Sequence, residues 1–233
     1  MPTAGSTPRF CAEDVEELVF DPSGGENAPL TQPGLSIMGD AELPHPVREA
    51  SIMAMPLPVY TTDDLRRFPH DGNRYELLEG MLIVTPAPGS AHQIVLARLN
   101  ATLVPYLGST GLALAVLPGE IEIAPKTLLD PDLLVIPTRY KPGTPWTKMT
   151  GWWLAVEVFS RSSKVYDRDF KRDAYLRLGV AEVWLVDMQE RCVLVSQPDG
   201  PRDVRHAGSL VWHPEEMPGP MVLDVAQLFD GMD

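Results

Sequence analysis

Hydrophobic and polar positions acquire a regular rhythm at Thr61, and from there the chain divides into short elements. "TTDDLRRFP" (61–69) predicts a short capped helix, opened by hydroxyl and acidic residues and followed by Pro69. "RYELLEG" and "MLIVTPAPG" predict two short strands that turn at Gly80. In "SAHQIVLARLNATLVPYLG" (90–108), positions 92, 95, 96, 99, 103 and 107 share one face at helical spacing, and all but His92 are apolar. A helix is expected there, with Ser90 as N-cap and Gly108 as stop. "EIEIA" (120–124) and "PDLLVIP" (131–137) predict strands, and 138–150 a polar loop. "WWLAVEVF" (152–159) predicts a central strand, apolar on both faces except at Glu157. "SKVYDRDFKRDAYLRLG" (163–179) predicts a helix stopped by Gly179. "EVWLVD" and "RCVLVSQ" form a closing hairpin, and "LDVAQLF" a short terminal helix. The implied fold is α/β, with a mixed central sheet flanked by helices in one domain spanning 58–233.

Residues 1–57 lack this rhythm. They are rich in Pro, Gly, Ser and Glu and read as a disordered acidic tail, with only "AEDVEELVF" (12–20) able to form a helical turn or two. Met53 and Met55, just before the structured sequence, are alternative starts for the protein.

Charge refines this picture. The net charge of -13 argues at first sight against a nucleic-acid partner. Residues 1–55 account for -7 of it, with nine acids against Arg9 and Arg48. Residues 139–177 carry nine bases against four acids, leaving a local +5. Such a run is more often a solvated face than a binding surface. No apolar run reaches the ~20 residues of a membrane span, and no secretory leader opens the sequence. Cys11 and Cys192 make no disulfide framework and suit a reducing cytoplasm.

Candidate chemistry centres on Glu157, because an unpaired carboxylate inside a strand costs several kcal/mol, on the order of a buried ion's penalty. "DPD" places Asp130 and Asp132 at the entrance of the preceding strand, so carboxylates of adjacent strands can meet. A hard divalent cation shared by Asp132 and Glu157 would relieve their repulsion. Lys171, on the helix after Glu157 with Asp167 and Tyr175 four residues to either side, could support that site. Direct pairing of Glu157 with Lys171 or an arginine explains the charge as well. His92 suits either a site or a core histidine bonded to a carbonyl. Trp152, Trp153, Trp184 and Trp212 read as packing residues.

The order "YELLEG … H … PD … EVFS … K … YLRLGVAEVWLVD" resembles the Uma family of restriction-endonuclease-like proteins, bacterial proteins with the PD-(D/E)XK nuclease fold. The resemblance runs from about Tyr60 to Phe229 and is most specific over 154–187. It implies a restriction-endonuclease-like mixed sheet and a cytoplasmic endonuclease that hydrolyses DNA phosphodiesters with Mg²⁺ or Mn²⁺. It is compatible with a homodimer. Asp132 matches the PD aspartate and Glu157 the following acid, and these two would hold the metal. Phe159 stands where the motif usually has lysine, and Lys171 matches a lysine moved to the next helix. Glu76 matches an acid from the N-terminal part of the fold, with Glu79 as its neighbour. His92 and Gln93 match a histidine-bearing helix start, and Arg161 replaces a usual proline. The acidic balance and Phe159 keep a second reading open: a catalytically silent nuclease fold used for binding or regulation.

Overall fold

The computed structural model describes residues 58–159 and 170–232. Helix α1 (Thr62–Leu65) is held by a reciprocal cap: the Thr61 hydroxyl accepts from the Asp64 amide, and the Asp64 carboxylate accepts from the Thr61 amide. Strands β1 (Asn73–Leu78) and β2 (Met81–Pro86) form the expected hairpin. Its two turn residues, Glu79 and Gly80, have φ of 53° and 87°. Two consecutive left-handed residues make the turn whose twist matches paired strands.

Helix α2 (Ser90–Gly108) has the expected span, and the six positions of its apolar face are its buried residues. Its start differs in detail. Gly89 occupies the N-cap without a side-chain bond, so Ser90 is the first helical residue rather than the cap.

The central sheet is built from β3 (Ala113–Val116), β6 (Leu133–Pro137), β7 (Leu154–Phe159), β8 (Val183–Asp187), β9 (Cys192–Ser196) and β10 (Val204–His206). Their order is β10-β9-β8-β7-β6-β3, with β7–β8 as the parallel pair. A parallel pair needs a crossover, and here the chain between the two strands includes α3 (Arg172–Arg177). All six residues of β7 are buried, as an interior strand covered on both faces requires. On one face Val156, Val158 and Trp184 pack with Val95, Leu99 and Leu103 of α2. On the other, Ala155, Phe159 and Leu185 pack with Ala174 and Tyr175 of α3.

That second face is also covered by a small antiparallel sheet, in which β4 (Ile121–Ile123) and β5 (Thr127–Leu129) extend the first hairpin in the order β2-β1-β5-β4. A further hairpin, β11 (Ser209–Trp212) with β12 (Met221–Asp224), joins the α2 side of the core. "LDVAQLF" proves to be the end of β12 followed by a 3₁₀ turn at Ala226–Phe229. The structure is therefore mixed α/β with a mixed central sheet, as expected, and among the described residues a four-stranded and a two-stranded sheet add to it. The helix expected over 163–179 is α-helical at Arg172–Arg177, preceded by a wider turn at Phe170 and Lys171; its earlier part, with Asp167, lies outside the described residues. So do the expected tail, Cys11 and Arg161. No helix among the described residues is long and apolar enough to cross a membrane.

Candidate active site

The β6–β7 ladder sets Leu133 opposite Val156, so Asp132 and Glu157 stand one step further along, at the same end of the sheet. Glu157 shares the strand face of Ala155 and Phe159 and is 2% exposed. Its charge is met by Lys171, whose Nζ lies 3.0 Å from Glu157 Oε1. One helical turn later, Tyr175 donates its hydroxyl to the same oxygen at 2.5 Å. The i, i+4 spacing of Lys171 and Tyr175 is what lets both reach one carboxylate.

Glu76 completes this cluster from the small sheet. Lys171 Nζ lies 2.7 Å from Glu76 Oε2, and Glu76 Oε1 accepts the Asp130 amide at 2.8 Å. Glu76 is 0% exposed and Lys171 1%, so neither is an ordinary surface charge. One ammonium thus bridges two carboxylates inside the protein. That arrangement lowers the cost of burying all three, since each ion alone would carry a penalty of several kcal/mol.

Asp132 has a different set of partners. Its Oδ1 accepts from Arg74 at 3.0 Å. Its Oδ2 accepts the Val158 amide at 2.9 Å and lies 2.9 Å from His92 Nε2. Nε2 faces the carboxylate as the donor, and Nδ1 is buried without a hydrogen-bond partner. Burial alone would raise the Asp132 pKa, but the His92 bond and charge, Arg74 and the Val158 amide outweigh it and hold the carboxyl below its usual range. Burial likewise opposes the Arg74 charge, yet Asp132, Glu157 and Glu76 together push its pKa up. Arg74 also donates to the Asp130 carbonyl at 2.8 Å, tying β1 to the mouth of β6.

The structure thus brings Glu76, Glu157 and Lys171 into contact and sets Asp132 beside them on Arg74 and His92. His92 pairs with a carboxylate instead of a backbone carbonyl. Glu79 stands apart: it is exposed, and Arg177 approaches it at 3.5 Å. Trp152, Trp153, Trp184 and Trp212 are buried packing residues, and Cys192 is a buried free thiol. Sequence reasoning missed Arg74 and left Tyr175 open between a helix-packing ring and a donor beside the site. Period two on β1 puts Arg74 on the face of Glu76, and that was the available signal for it.

A divalent cation can be tested against these side chains. In kind they fit one. Among the described residues, Glu76, Asp130, Asp132 and Glu157 gather four carboxylates around Arg74 and Lys171. The surplus is felt at Asp130, whose pKa is pushed up to about 7 by burial and by Glu76 and Glu120. Oxygen donors with surplus negative charge suit Mg²⁺ or Mn²⁺, and Mg²⁺ commonly takes one or two carboxylates with water completing the shell. Among the described residues, no group of three or more His, Cys, Asp or Glu side chains is arranged to hold a metal. A cation at Asp132 and Glu157 would compete with Arg74 and His92 for the first and with Lys171 and Tyr175 for the second.

No curated protein matches this chain. Among solved structures it is similar to one described as "a putative nuclease belonging to DUF820" from Anabaena variabilis, with a TM-score of 0.59 and 20% identity over 72% of this chain and 97% of the other. At that identity the likeness shows the fold. The model of the Uma2 family, described as "Putative restriction endonuclease", matches residues 62–226, which include every residue of the site. The chain belongs to the Uma2 family of restriction-endonuclease-like proteins.

Proposed function

We propose that this protein hydrolyses phosphodiester bonds of nucleic acid, DNA foremost, with Mg²⁺ or Mn²⁺ held by Asp132 and Glu157. The observation that carries the reading is the buried Glu76–Lys171–Glu157 cluster beside Asp132. Ion networks out of water are weak stabilisers, and a well-packed apolar core would serve the fold as well. Buried charges gathered at the end of a sheet are instead what a reactive site needs. When bound, a divalent cation would supply Lewis acidity toward a phosphoryl oxygen and lower the pKa of water.

The chain's own residues have separate tasks. Arg74 and His92 orient Asp132, and Tyr175 fixes the rotamer of Glu157 through its hydroxyl. Glu76, anchored on the Asp130 amide, keeps the Lys171 ammonium next to Glu157. Lys171 then positions the attacking water or offsets the negative charge that develops on the phosphate.

A second reading has its own support. Both oxygens of Asp132 are engaged by protein donors, and no three-donor cluster stands ready among the described residues. That suits a silent nuclease fold retained for binding or regulation. Mn²⁺ titration followed by melting separates the two. A metal site raises Tm with Mn²⁺, by about 2.7 kcal/mol of stability at a hundred times Kd, and Asp132→Asn or Glu157→Gln removes that gain. Hydrolysis of DNA by the wild-type chain and not by Glu157→Gln completes the case. No metal-dependent shift and no hydrolysis leaves the silent module.

A further inference from the structure

The basic run at 139–177 divides once its residues are placed. Lys171 is buried between two carboxylates, Arg172 is bonded to Asp173 and Asp203, and Arg177 faces Glu79. Arg161, Lys164 and Arg168 lie outside the described residues. That leaves Arg139, Lys141 and Lys148, all exposed and all in the loop that joins β6 to β7. The 24 residues between Asp132 and Glu157 contain these three bases and no acid. The ion pairs among the described residues involve none of the three. The loop is built to hold its shape. Arg139 donates to the Thr150 carbonyl at 2.8 Å and stacks 5.0 Å over the Tyr140 ring, while the Tyr140 hydroxyl accepts the Thr150 amide at 2.9 Å. Tyr140 and Trp146 pack against the core, and Thr144 donates its amide and its hydroxyl to the Lys141 carbonyl. Pro142 and Pro145 fix two further φ angles. Arg139 is thus engaged within the loop, on the side where Glu182, Glu215 and Glu216 share a cavity with it. Lys141 and Lys148 do not line that cavity. The acids next to the turn at Trp146–Lys148 are Glu120 and Glu122; Arg66 bonds Glu122 at 2.9 Å, and its charge reaches Glu120.

We propose that Lys141 and Lys148 form a second contact surface for nucleic acid, holding backbone phosphates away from the reacting bond. This rests on the nucleic-acid reading of the site. A lysine meets phosphate as a point charge and displaces the counterions held there, whatever the base sequence. A loop already ordered by its own bonds needs little rearrangement to do this. Its place in the fold sets the reach. The loop leaves β6 at Pro137, and Asp132 stands before the other end of that strand, at Leu133. Five strand residues separate the two, about 17 Å at 3.3 Å each, or roughly five base pairs of duplex. A polymer spans both places and a short fragment reaches one. The surface therefore favours long nucleic acid without choosing its sequence.

The test uses the full chain carrying Glu157→Gln, so that substrate is bound and not consumed. Fluorescence anisotropy measures its affinity for a labelled duplex of about 30 base pairs, at salt concentrations from about 50 to 200 mM. Each phosphate contact contributes about 0.9 to the slope of log K against log salt. Lys141→Ala together with Lys148→Ala should therefore lower that slope by about 2. Both side chains are exposed, so the melting temperature should stay at the parent value. Arg191→Ala together with Arg205→Ala removes the same charge from exposed positions beside β9 and on β10, and should leave the slope nearly as it was. An unchanged slope in the lysine variant, or an equal fall in the arginine variant, overturns the inference, even if the wild-type chain cleaves DNA. Conversely, a slope that falls only with the lysines, in a chain that never hydrolyses DNA, upholds the surface and removes the nuclease reading.

Discussion

Lys171 and Glu157 form a buried ion pair at 3.0 Å across the gap between α3 and the central strand β7. Glu76 shares the ammonium, so removing Lys171 takes a cation from two buried carboxylates at once. Lys171→Met is expected to destabilise the protein by about 3–5 kcal/mol, the usual cost of breaking a buried pair from one side. Adding Glu76→Gln and Glu157→Gln to Lys171→Met should restore much of that loss, because no uncompensated charge remains. Urea unfolding of the single and triple variants, with chelator present, checks this. A triple variant no more stable than Lys171→Met alone would show that charge is not what Lys171 balances.

Lys171→Arg separates stability from chemistry. The guanidinium keeps the charge, so folding should survive better than with Met. Its planar fork cannot reproduce a compact ammonium that contacts one carboxylate from each side. Hydrolysis should remain about 10²–10³-fold below wild type, the size of losing one charge-stabilising donor. Wild-type turnover in Lys171→Arg would place Lys171 outside the chemistry.

Tyr175→Phe removes one donor from Glu157 and leaves the ring in the core. Glu157 Oε1 keeps Lys171, so the loss is that of one hydrogen bond to a charged group, about 1.5–3 kcal/mol. Because the hydroxyl fixes the Glu157 rotamer, kcat should fall while KM for the nucleic acid stays. A steady-state kinetic comparison decides it, and a change in KM alone would assign Tyr175 to substrate binding.

The two glycines at element ends should respond with opposite signs. At Gly80, φ is +87° and an added Cβ would come within 2.5 Å of Val59 Cγ1. Gly80→Ala should therefore lose about 1–2 kcal/mol from the left-handed backbone alone. Gly108, at the end of α2, has nothing within 4 Å of an added Cβ. Gly108→Ala should be neutral or gain about 0.4–1 kcal/mol. Thermal melts of the pair check the contrast.

Residues 1–55 carry -7 of the net -13, so their removal leaves -6. We propose that the tail contributes no core. The trimmed protein should melt cooperatively at nearly the wild-type Tm and bind nucleic acid more tightly at low salt, where repulsion is least screened. Loss of cooperative melting, measured by circular dichroism, would show that the tail belongs to the fold.

Elements whose signals are local could be read along the chain. Helix α2 was legible to within one residue because six positions repeat at 3.6, and burial of Leu99 and Leu103 follows from that spacing. The turn after β1 was marked by Gly80, and the central strand by its unbroken apolar run around Glu157. The short strands β3, β5 and β10 carry only three or four residues, too few for a period of two to stand out, so their pairings were not foreseen. Which charge meets which followed from packing. Arg74 and Asp132 are 58 residues apart, and Glu76 reaches Lys171 only because the small sheet packs over α3 and the central strands. Long-range pairings of this kind depend on how separate sheets and helices close on one another, and no local pattern encodes that distance. Glu157 announced from its strand that it needed a partner, and packing supplied Lys171, Glu76 and Tyr175 around it.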